Sequence, residues 1–190
     1  MSTSQHRKML IAAAIGAALI AILAQITIPF PIVPNTAQPL GIGLIAVILG
    51  KRYGTLSVFL YCLLGAIGIP VFAGMSGGFG IILGPTGGYI VGFTLAAYVV
   101  GFFTSRFPNS YTAAVIGAIL GVTVIILLFG LIWLKFQSQM SWSAAFSAGV
   151  LPFIFTNPIQ AVAAALLGQR IKGAMSKAGV LREIRSEERR

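Results

Sequence analysis

The sequence has 190 residues, of which 57% are hydrophobic and 8% are charged. Soluble domains carry roughly 25% charged residues. This composition therefore excludes an ordinary soluble protein and indicates that most of the chain lies in lipid. The net charge of +10 does not indicate a nucleic-acid partner, because the basic residues lie at the chain ends and at short breaks between apolar runs.

Three apolar runs near the start of the chain predict three transmembrane helices, at residues 9–28, 39–50 and 53–69. A helix needs about 20 apolar residues to cross a bilayer. The second and third runs cannot form one span, because Lys51 and Arg52 would lie at its centre. Each charge there would cost roughly 2.5–3.5 kcal/mol. The two runs are therefore predicted to be separate helices joined by a tight turn.

Three further spans are predicted at residues 89–104, 111–133 and 148–167. The fifth of the six reads as the most regular, and the sixth contains Pro152 and Pro158. Residues 71–88 are apolar, but they hold seven glycines and Pro85, so no regular spanning helix is expected there. The sequence thus predicts an all-α membrane protein with six transmembrane helices in the cell membrane.

The distribution of basic residues predicts the orientation. With the N-terminus in the cytoplasm, one basic residue, Lys135, lies on the outer side. Twelve lie on the cytoplasmic side: Arg7, Lys8, Lys51, Arg52, Arg106, Arg170, Lys172, Lys177, Arg182, Arg185, Arg189 and Arg190. This bias favours both termini inside. Residues 1–170 are predicted to form the membrane domain, and residues 171–190 a basic cytoplasmic tail.

Three interrupted segments indicate where a ligand would bind. They are residues 29–38, 71–88 and 151–160, each broken by proline or glycine. Irregular backbone at membrane depth is tolerated where it lines a cavity or is shielded from lipid. Broken segments are also the best sequence pointers to a binding site. In the predicted orientation they converge near the outer face, which suggests one pocket opening outward.

A few polar residues at these breaks are the candidates for ligand binding. Asn157 and Gln160 are three positions apart and project from one helix face. A structural alternative is that such buried amides bond to neighbouring helices. The full candidate set is Asn157, Gln160, Tyr89, Thr36, Gln38, Thr86 and Gly88.

The sequence contains few residues of the types that act in catalysis. There is no Asp, the three Glu residues (Glu183, Glu187 and Glu188) are in the tail, and His6 is the only histidine. No acid–base pair, catalytic triad or metal-ligand set is expected within the membrane. The glycines of residues 84–88 are not followed by the Lys-Ser or Lys-Thr of a phosphate loop. We therefore expect no enzyme activity, no cofactor and no metal.

Small residues recur along the first span. Ala13, Ala17 and Ala21 are spaced four apart, as are Ala14 and Ala18. This spacing lets another helix approach closely. The partner helix is either internal or part of another subunit.

Three runs of the sequence resemble the BioY family, the biotin-specific substrate-binding (S) components of energy-coupling factor (ECF) transporters. They are residues 29–40, residues 65–74 with Gly-Ile-Pro-Val-Phe, and residues 84–93 with Gly-Pro-Thr-Gly-Gly-Tyr. The last two runs together are specific, and the resemblance extends over nearly the whole chain. It implies a six-helix S-component fold with an outward-facing biotin pocket that includes Tyr89.

The resemblance also implies a transmembrane coupling subunit and two cytoplasmic ATPase subunits as partners, with the alanine motif of the first span contacting the coupling subunit. One feature departs from the family. The family typically has Asp and Lys, three apart, where this chain has Asn157 and Gln160. Amides can still donate to a carboxylate and accept from ureido N–H groups.

Two other functions are left open by the sequence. The chain could be a solitary facilitator or secondary carrier, for biotin or for a biotin-like and possibly neutral vitamin, that works without ATPase partners. It could instead be a scaffolding membrane protein that uses the alanine stripe only for assembly. A proton-driven carrier is disfavoured, because no acidic residue lies in an apolar run.

Overall fold

The structure is a computed structural model that describes residues 3–177. Five of its helical segments are long and apolar enough to cross a membrane: His6–Ala24, Gln38–Ala66, Gly87–Arg106, Tyr111–Gln137 and Trp142–Lys177. The second segment is broken into two halves, so the prediction of a six-helix membrane bundle is confirmed.

The first helix, α1 (Thr3–Ala24), ends four residues earlier than expected. A short antiparallel pair follows, β1 (Thr27–Ile28) and β2 (Asn35–Thr36), with Thr27 opposite Thr36. Three prolines between residues 29 and 34 explain why no helix forms here, since proline lacks the N–H that a helix needs.

The second helix, α2 (Gln38–Ala66), is interrupted at Gly50, whose φ of 74° lies in the left-handed region. Glycine reaches this region without a steric penalty. A Cβ added at Gly54 would lie 2.8 Å from the Cα of Ala46. In a straight helix, residues eight positions apart are about 12 Å apart along the axis. The two halves therefore fold back on each other, as the charges of Lys51 and Arg52 predicted.

Residues 67–86 form an irregular connection, as expected, with a 3-10 turn (Ala73–Met75) and the short helix α3 (Phe79–Leu83). Helix α4 (Gly87–Arg106) follows. The fifth span consists of α5 (Tyr111–Ala118), a π-helical segment (Ile119–Ile125) and α6 (Ile126–Gln137). The fifth span was expected to be the most regular, and it instead contains a π-helical segment, which hydrophobicity does not reveal.

The sixth span also differs from its predicted bounds. The chain forms α7 (Trp142–Gly149), a 3-10 turn (Leu151–Phe153) and then α8 (Thr156–Lys177). Pro152 lies in the 3-10 turn, and Pro158 lies in the first turn of α8, where a missing N–H costs little. The two prolines thus lie before α8 and in its first turn, and they do not divide the helix. Of the predicted tail, residues 171–177 continue α8, and residues 178–190 lie outside the described residues.

Basic residues gather at one end of the bundle. The backbone N–H of Lys51 donates to Ser105 Oγ over 3.1 Å, and Lys172 Nζ donates to the carbonyl of Thr104 over 3.3 Å. The ring of His6 lies 3.0 Å from the hydroxyl of Tyr53. These contacts bring the start of α1, the break in α2, the end of α4 and the end of α8 together. The three interrupted segments lie at the opposite end.

Candidate ligand-binding site

The three interrupted segments meet around one cavity of about 180 Å³. Its wall also includes the starts of α2 and α4 and the first turn of α6. The expectation that these breaks converge is therefore confirmed. The lining residues are Val33, Pro34, Asn35, Thr36, Gln38, Pro39, Phe72, Ala73, Ser76, Ile81, Thr86, Tyr89, Ile90, Phe93, Ile126, Leu127, Phe153 and Asn157.

The first segment contributes a polar corner. Asn35 Nδ2 donates to Thr156 Oγ1 over 2.9 Å, which ties β2 to the start of α8. The Thr36 hydroxyl donates to Gln38 Oε1 over 2.8 Å. Asn35, Thr36 and Gln38 are all buried. Buried polar groups need partners, and these bonds hold the three side chains in fixed positions on the cavity wall.

A buried tyrosine connects this corner to the second segment. Gln38 Nε2 donates to the hydroxyl of Tyr61, and Tyr61 in turn donates to the carbonyl of Val71 over 3.2 Å. The Tyr61 ring also meets the edge of Phe72, with ring centroids 5.6 Å apart. The position of residues 71 and 72 against the cavity thus depends on a side chain from α2.

The end of α1 fastens the same loop from the other side. Gln25 Nε2 donates to the carbonyl of Phe72 over 3.1 Å, and Gln25 Oε1 accepts from the N–H of Met75 over 2.9 Å. Met75 has a φ of 55°, which is uncommon for a residue with a side chain. A side-chain clamp on its N–H helps to hold that conformation.

Tyr89 joins α4 to α7 beside the cavity. Its hydroxyl donates to the carbonyl of Gly149 over 2.7 Å, and its ring lies 6.1 Å from that of Phe153. The ring packs directly on Gly130 of α6, where a Cβ would overlap it. The glycine on α6 is therefore what makes room for Tyr89.

Asn157 is 1% exposed and lies in the first turns of α8. Its Nδ2 donates to the carbonyl of Val122 over 3.2 Å, in the π-helical segment. Its Oδ1 has no hydrogen-bond partner among the described residues. Such an unsatisfied buried oxygen is unusual in a native protein, and here its side chain lines the cavity.

Gln160 makes two bonds to backbone, one in β2 and one at the start of α2. Its Nε2 donates to the carbonyl of Thr36 over 3.0 Å, and its Oε1 accepts from the N–H of Leu40 over 3.0 Å. This is the interhelical role that the sequence offered as an alternative. Gln160 therefore holds the backbone beside the polar corner and does not line the cavity.

Five of the seven candidate residues line the cavity: Asn157, Tyr89, Thr36, Gln38 and Thr86. Gly88 packs against Trp133 and Gln160 contacts backbone, and neither lines it. Sequence reasoning did not identify the roles of Gln25 and Tyr61. A glutamine near the end of the apolar run 9–28 was the available signal for Gln25.

The wall of the cavity is uncharged and mostly apolar. Among the described residues, none that lines it is Asp, Glu, Lys or Arg. Lys135 lies on α6 with its Nζ over the rings of Phe136 and Trp142. Small-molecule sites are commonly apolar pockets with a few placed polar groups. This arrangement suits binding of a small molecule with an apolar body and a few hydrogen-bonding groups.

The alanine stripe on α1 divides into two faces. Ala13 and Ala17 are each 2% exposed and pack inside the bundle, whereas Ala14 and Ala18 are exposed. Ala21 is half-buried. The internal alternative therefore holds for the first pair. The second pair, with Ile11, Ile15 and Ile22, forms an outward apolar face.

Comparison with known proteins agrees with this geometry. A model of the BioY family matches residues 1–177. The chain is 38% identical over 163 residues to biotin transporter BioY2 of Lactococcus lactis subsp. cremoris (strain MG1363), which covers 86% of this chain and 89% of that protein. It is 41% identical over 165 residues to biotin transporter BioY of Thermotoga maritima, which covers 87% and 96%.

The fold is similar to a crystal structure of the S-component for biotin from an ECF-type ABC transporter. The TM-score is 0.83 at 31% identity, over 91% of this chain and 95% of that one. The sequence, the membrane-spanning helices and the shared fold lead to the same conclusion. The chain is a multi-pass integral membrane protein of the cell membrane and belongs to the BioY family.

Proposed function

We propose that this protein captures biotin in the cavity and delivers it to the cell as the substrate-binding subunit of an ECF-type transporter. The observation that carries the proposal is the convergence of three interrupted segments on one uncharged cavity in a helical bundle. The names of the relatives, biotin transporters, and the S-component fold support the same ligand.

The chemistry of biotin fits this wall. Its fused rings and aliphatic chain are largely apolar and match Phe72, Phe93 and Phe153. Its ureido group has two N–H donors and one carbonyl acceptor. The oxygen of Asn157 needs a donor, and burial makes that bond valuable. We therefore assign Asn157 to the ureido N–H.

The cavity faces the outside of the cell in this proposal. Lys51 and Lys172 lie at the end of the bundle remote from the cavity. The positive-inside rule puts that end, and both termini, in the cytoplasm. A binding site that opens outward is where an uptake protein first meets its substrate.

The partners proposed are a transmembrane coupling subunit and two cytoplasmic ATPase subunits. The outward face of α1, with Ala14 and Ala18, is the proposed contact for the coupling subunit, because small side chains let two helices approach closely. ATP hydrolysis would then take place on other chains, and this protein would act as a transport subunit and not as an enzyme.

Binding of radiolabelled biotin to the purified protein tests this proposal. The protein is held in lipid nanodiscs, and folding is verified by helical circular dichroism and a single chromatographic peak. We expect saturable binding that unlabelled biotin displaces. Folded protein without saturable binding would refute the proposal. Biotin uptake by cells that lack the ATPase subunits would instead indicate a solitary carrier.

A further inference from the structure

The hydroxyl groups on the cavity wall donate hydrogen bonds to oxygen atoms of the protein. Four lining residues carry a hydroxyl, and each donates to an oxygen of the protein. Three of the bonds are short: Thr36 to Gln38 Oε1 over 2.8 Å, Ser76 to the carbonyl of Ala73 over 2.8 Å and Tyr89 to the carbonyl of Gly149 over 2.7 Å. The contact from Thr86 to the carbonyl of Ile81 is longer, at 3.4 Å. A hydroxyl has one proton, so toward a ligand Thr36, Ser76 and Tyr89 can only accept.

The amide of Asn157 offers an acceptor as well. Its nitrogen must face the carbonyl of Val122, since two oxygens facing each other would repel. Its Oδ1 is consequently directed elsewhere and has no partner within residues 3–177. Gln38 retains one amide N–H for a ligand, because its Oε1 accepts from Thr36 and one of its two N–H groups donates to Tyr61.

An anion would find few attractive groups on this wall. The lining residues include no Lys or Arg, and Gln160 is bound to the backbone of Thr36 and Leu40. A carboxylate taken from water into a low-dielectric cavity needs a cation or several donors to compensate the lost hydration. This wall presents mainly acceptors, with no cation among its described lining residues and only the second amide N–H groups of Asn35, Gln38 and Asn157 as side-chain donors.

From this distribution we propose that the cavity recognises a neutral, N–H-bearing head group of the cyclic urea class and does not anchor the carboxylate of the ligand. The inference rests on the proposed function and specifies its selectivity. Biotin would bind with its ring system inside and its carboxylate at the mouth in water. Neutral amide and ester forms of biotin are then substrates of the same class.

Isothermal titration of the wild-type protein in nanodiscs with four compounds tests this inference. They are biotin, biotinamide, biotin methyl ester and a biotin with one ureido nitrogen methylated. We expect the amide and the ester to bind within about threefold of biotin, since no ion pair is lost. We expect the N-methyl compound to bind at least about tenfold more weakly, as a lost buried hydrogen bond would require.

The outcomes separate this inference from the proposed function. Tight binding of biotin with amide and ester more than about tenfold weaker would overturn the inference and leave biotin capture intact. Equal binding of biotin and the N-methyl compound would also overturn it. If the folded protein binds none of the four compounds, the proposed function itself fails.

Discussion

The hydroxyl of Tyr89 donates to the carbonyl of Gly149 over 2.7 Å, and this bond connects residues 60 positions apart. It holds the start of α4 against the end of α7, directly beside the cavity. Tyr89 is 6% exposed, so its partner carbonyl gains no easy substitute from water when the hydroxyl is removed. Tyr89 therefore lines the cavity and also connects α4 to α7.

The variant Tyr89→Phe keeps the aromatic ring and removes the hydrogen bond to Gly149. We expect the free energy of unfolding to fall by about 1–3 kcal/mol, the usual cost of an unsatisfied buried polar group. Biotin affinity should fall too, since the wall loses its anchor to α7. Reversible denaturation in detergent and titration with biotin measure the two effects.

Tyr98→Phe is the matched control, because Tyr98 lies on the same helix and is 46% exposed. Its loss of a hydroxyl should change stability by no more than about 0.5 kcal/mol. If both variants behave alike, the bond to Gly149 does not stabilise the site.

Asn157→Ala should weaken biotin binding by at least about tenfold, equivalent to about 1.4 kcal/mol. The variant removes a buried amide oxygen that has no hydrogen-bond partner within residues 3–177. Titration calorimetry on folded protein measures the change. The Asn157→Ala variant also loses the bond to the carbonyl of Val122, so its stability should fall together with its affinity.

Gln169→Ala separates these two effects. Gln169 lies on the same helix, is also buried, and donates to the carbonyl of Ser110 at the far end of the bundle. This control should lose comparable stability and keep full affinity. Equal loss of affinity in both variants would mean that Asn157 acts only through folding.

Gln25→Ala should loosen the loop that covers the cavity. The variant removes the bonds to Phe72 and Met75. Amide hydrogen exchange in residues 71–76 should become faster, and biotin affinity should fall by about two- to tenfold, in line with the loss of ordinary hydrogen bonds. Gln137→Ala, at an exposed position, is the control and should alter neither property. Unchanged exchange in Gln25→Ala would contradict the clamp.

Ala18→Leu should impair uptake without impairing binding. The side chain lies on the exposed face of α1, away from the cavity, and a larger residue there prevents close approach of a partner helix. Co-purification with the coupling subunit and cellular uptake of labelled biotin should both fall severalfold. The control is Val124→Phe, which adds bulk at a position that is 50% exposed on the fifth span. Normal complex formation by Ala18→Leu would remove this face from the proposed interface.

Cysteine labelling tests the orientation. In a Cys62→Ser background, Gln137→Cys and Lys177→Cys place single thiols at exposed positions at opposite ends of the bundle. A membrane-impermeant maleimide added to intact cells should label position 137 and not position 177. Labelling at position 177 in intact cells would reverse the proposed direction of the cavity.

The sequence by itself determined the class of protein, the number of spans and the region of the site. The apolar composition shows that most of the chain lies in lipid, and the charges of Lys51 and Arg52 exclude a single span through residues 39–69. Proline and glycine prevent regular helix in the segments around the cavity. These are local effects of residue type, so they can be read without knowing which segments meet.

Only the tertiary structure decided how individual side chains are used. Asn157 and Gln160 looked equivalent in sequence, yet one lines the cavity and the other bonds to the backbone of α2. Likewise Ala13 is buried while Ala14 is exposed. Such differences depend on the rotation of each helix against neighbours that are distant in the chain. That rotation is set by packing across the whole bundle, which helical spacing alone does not encode.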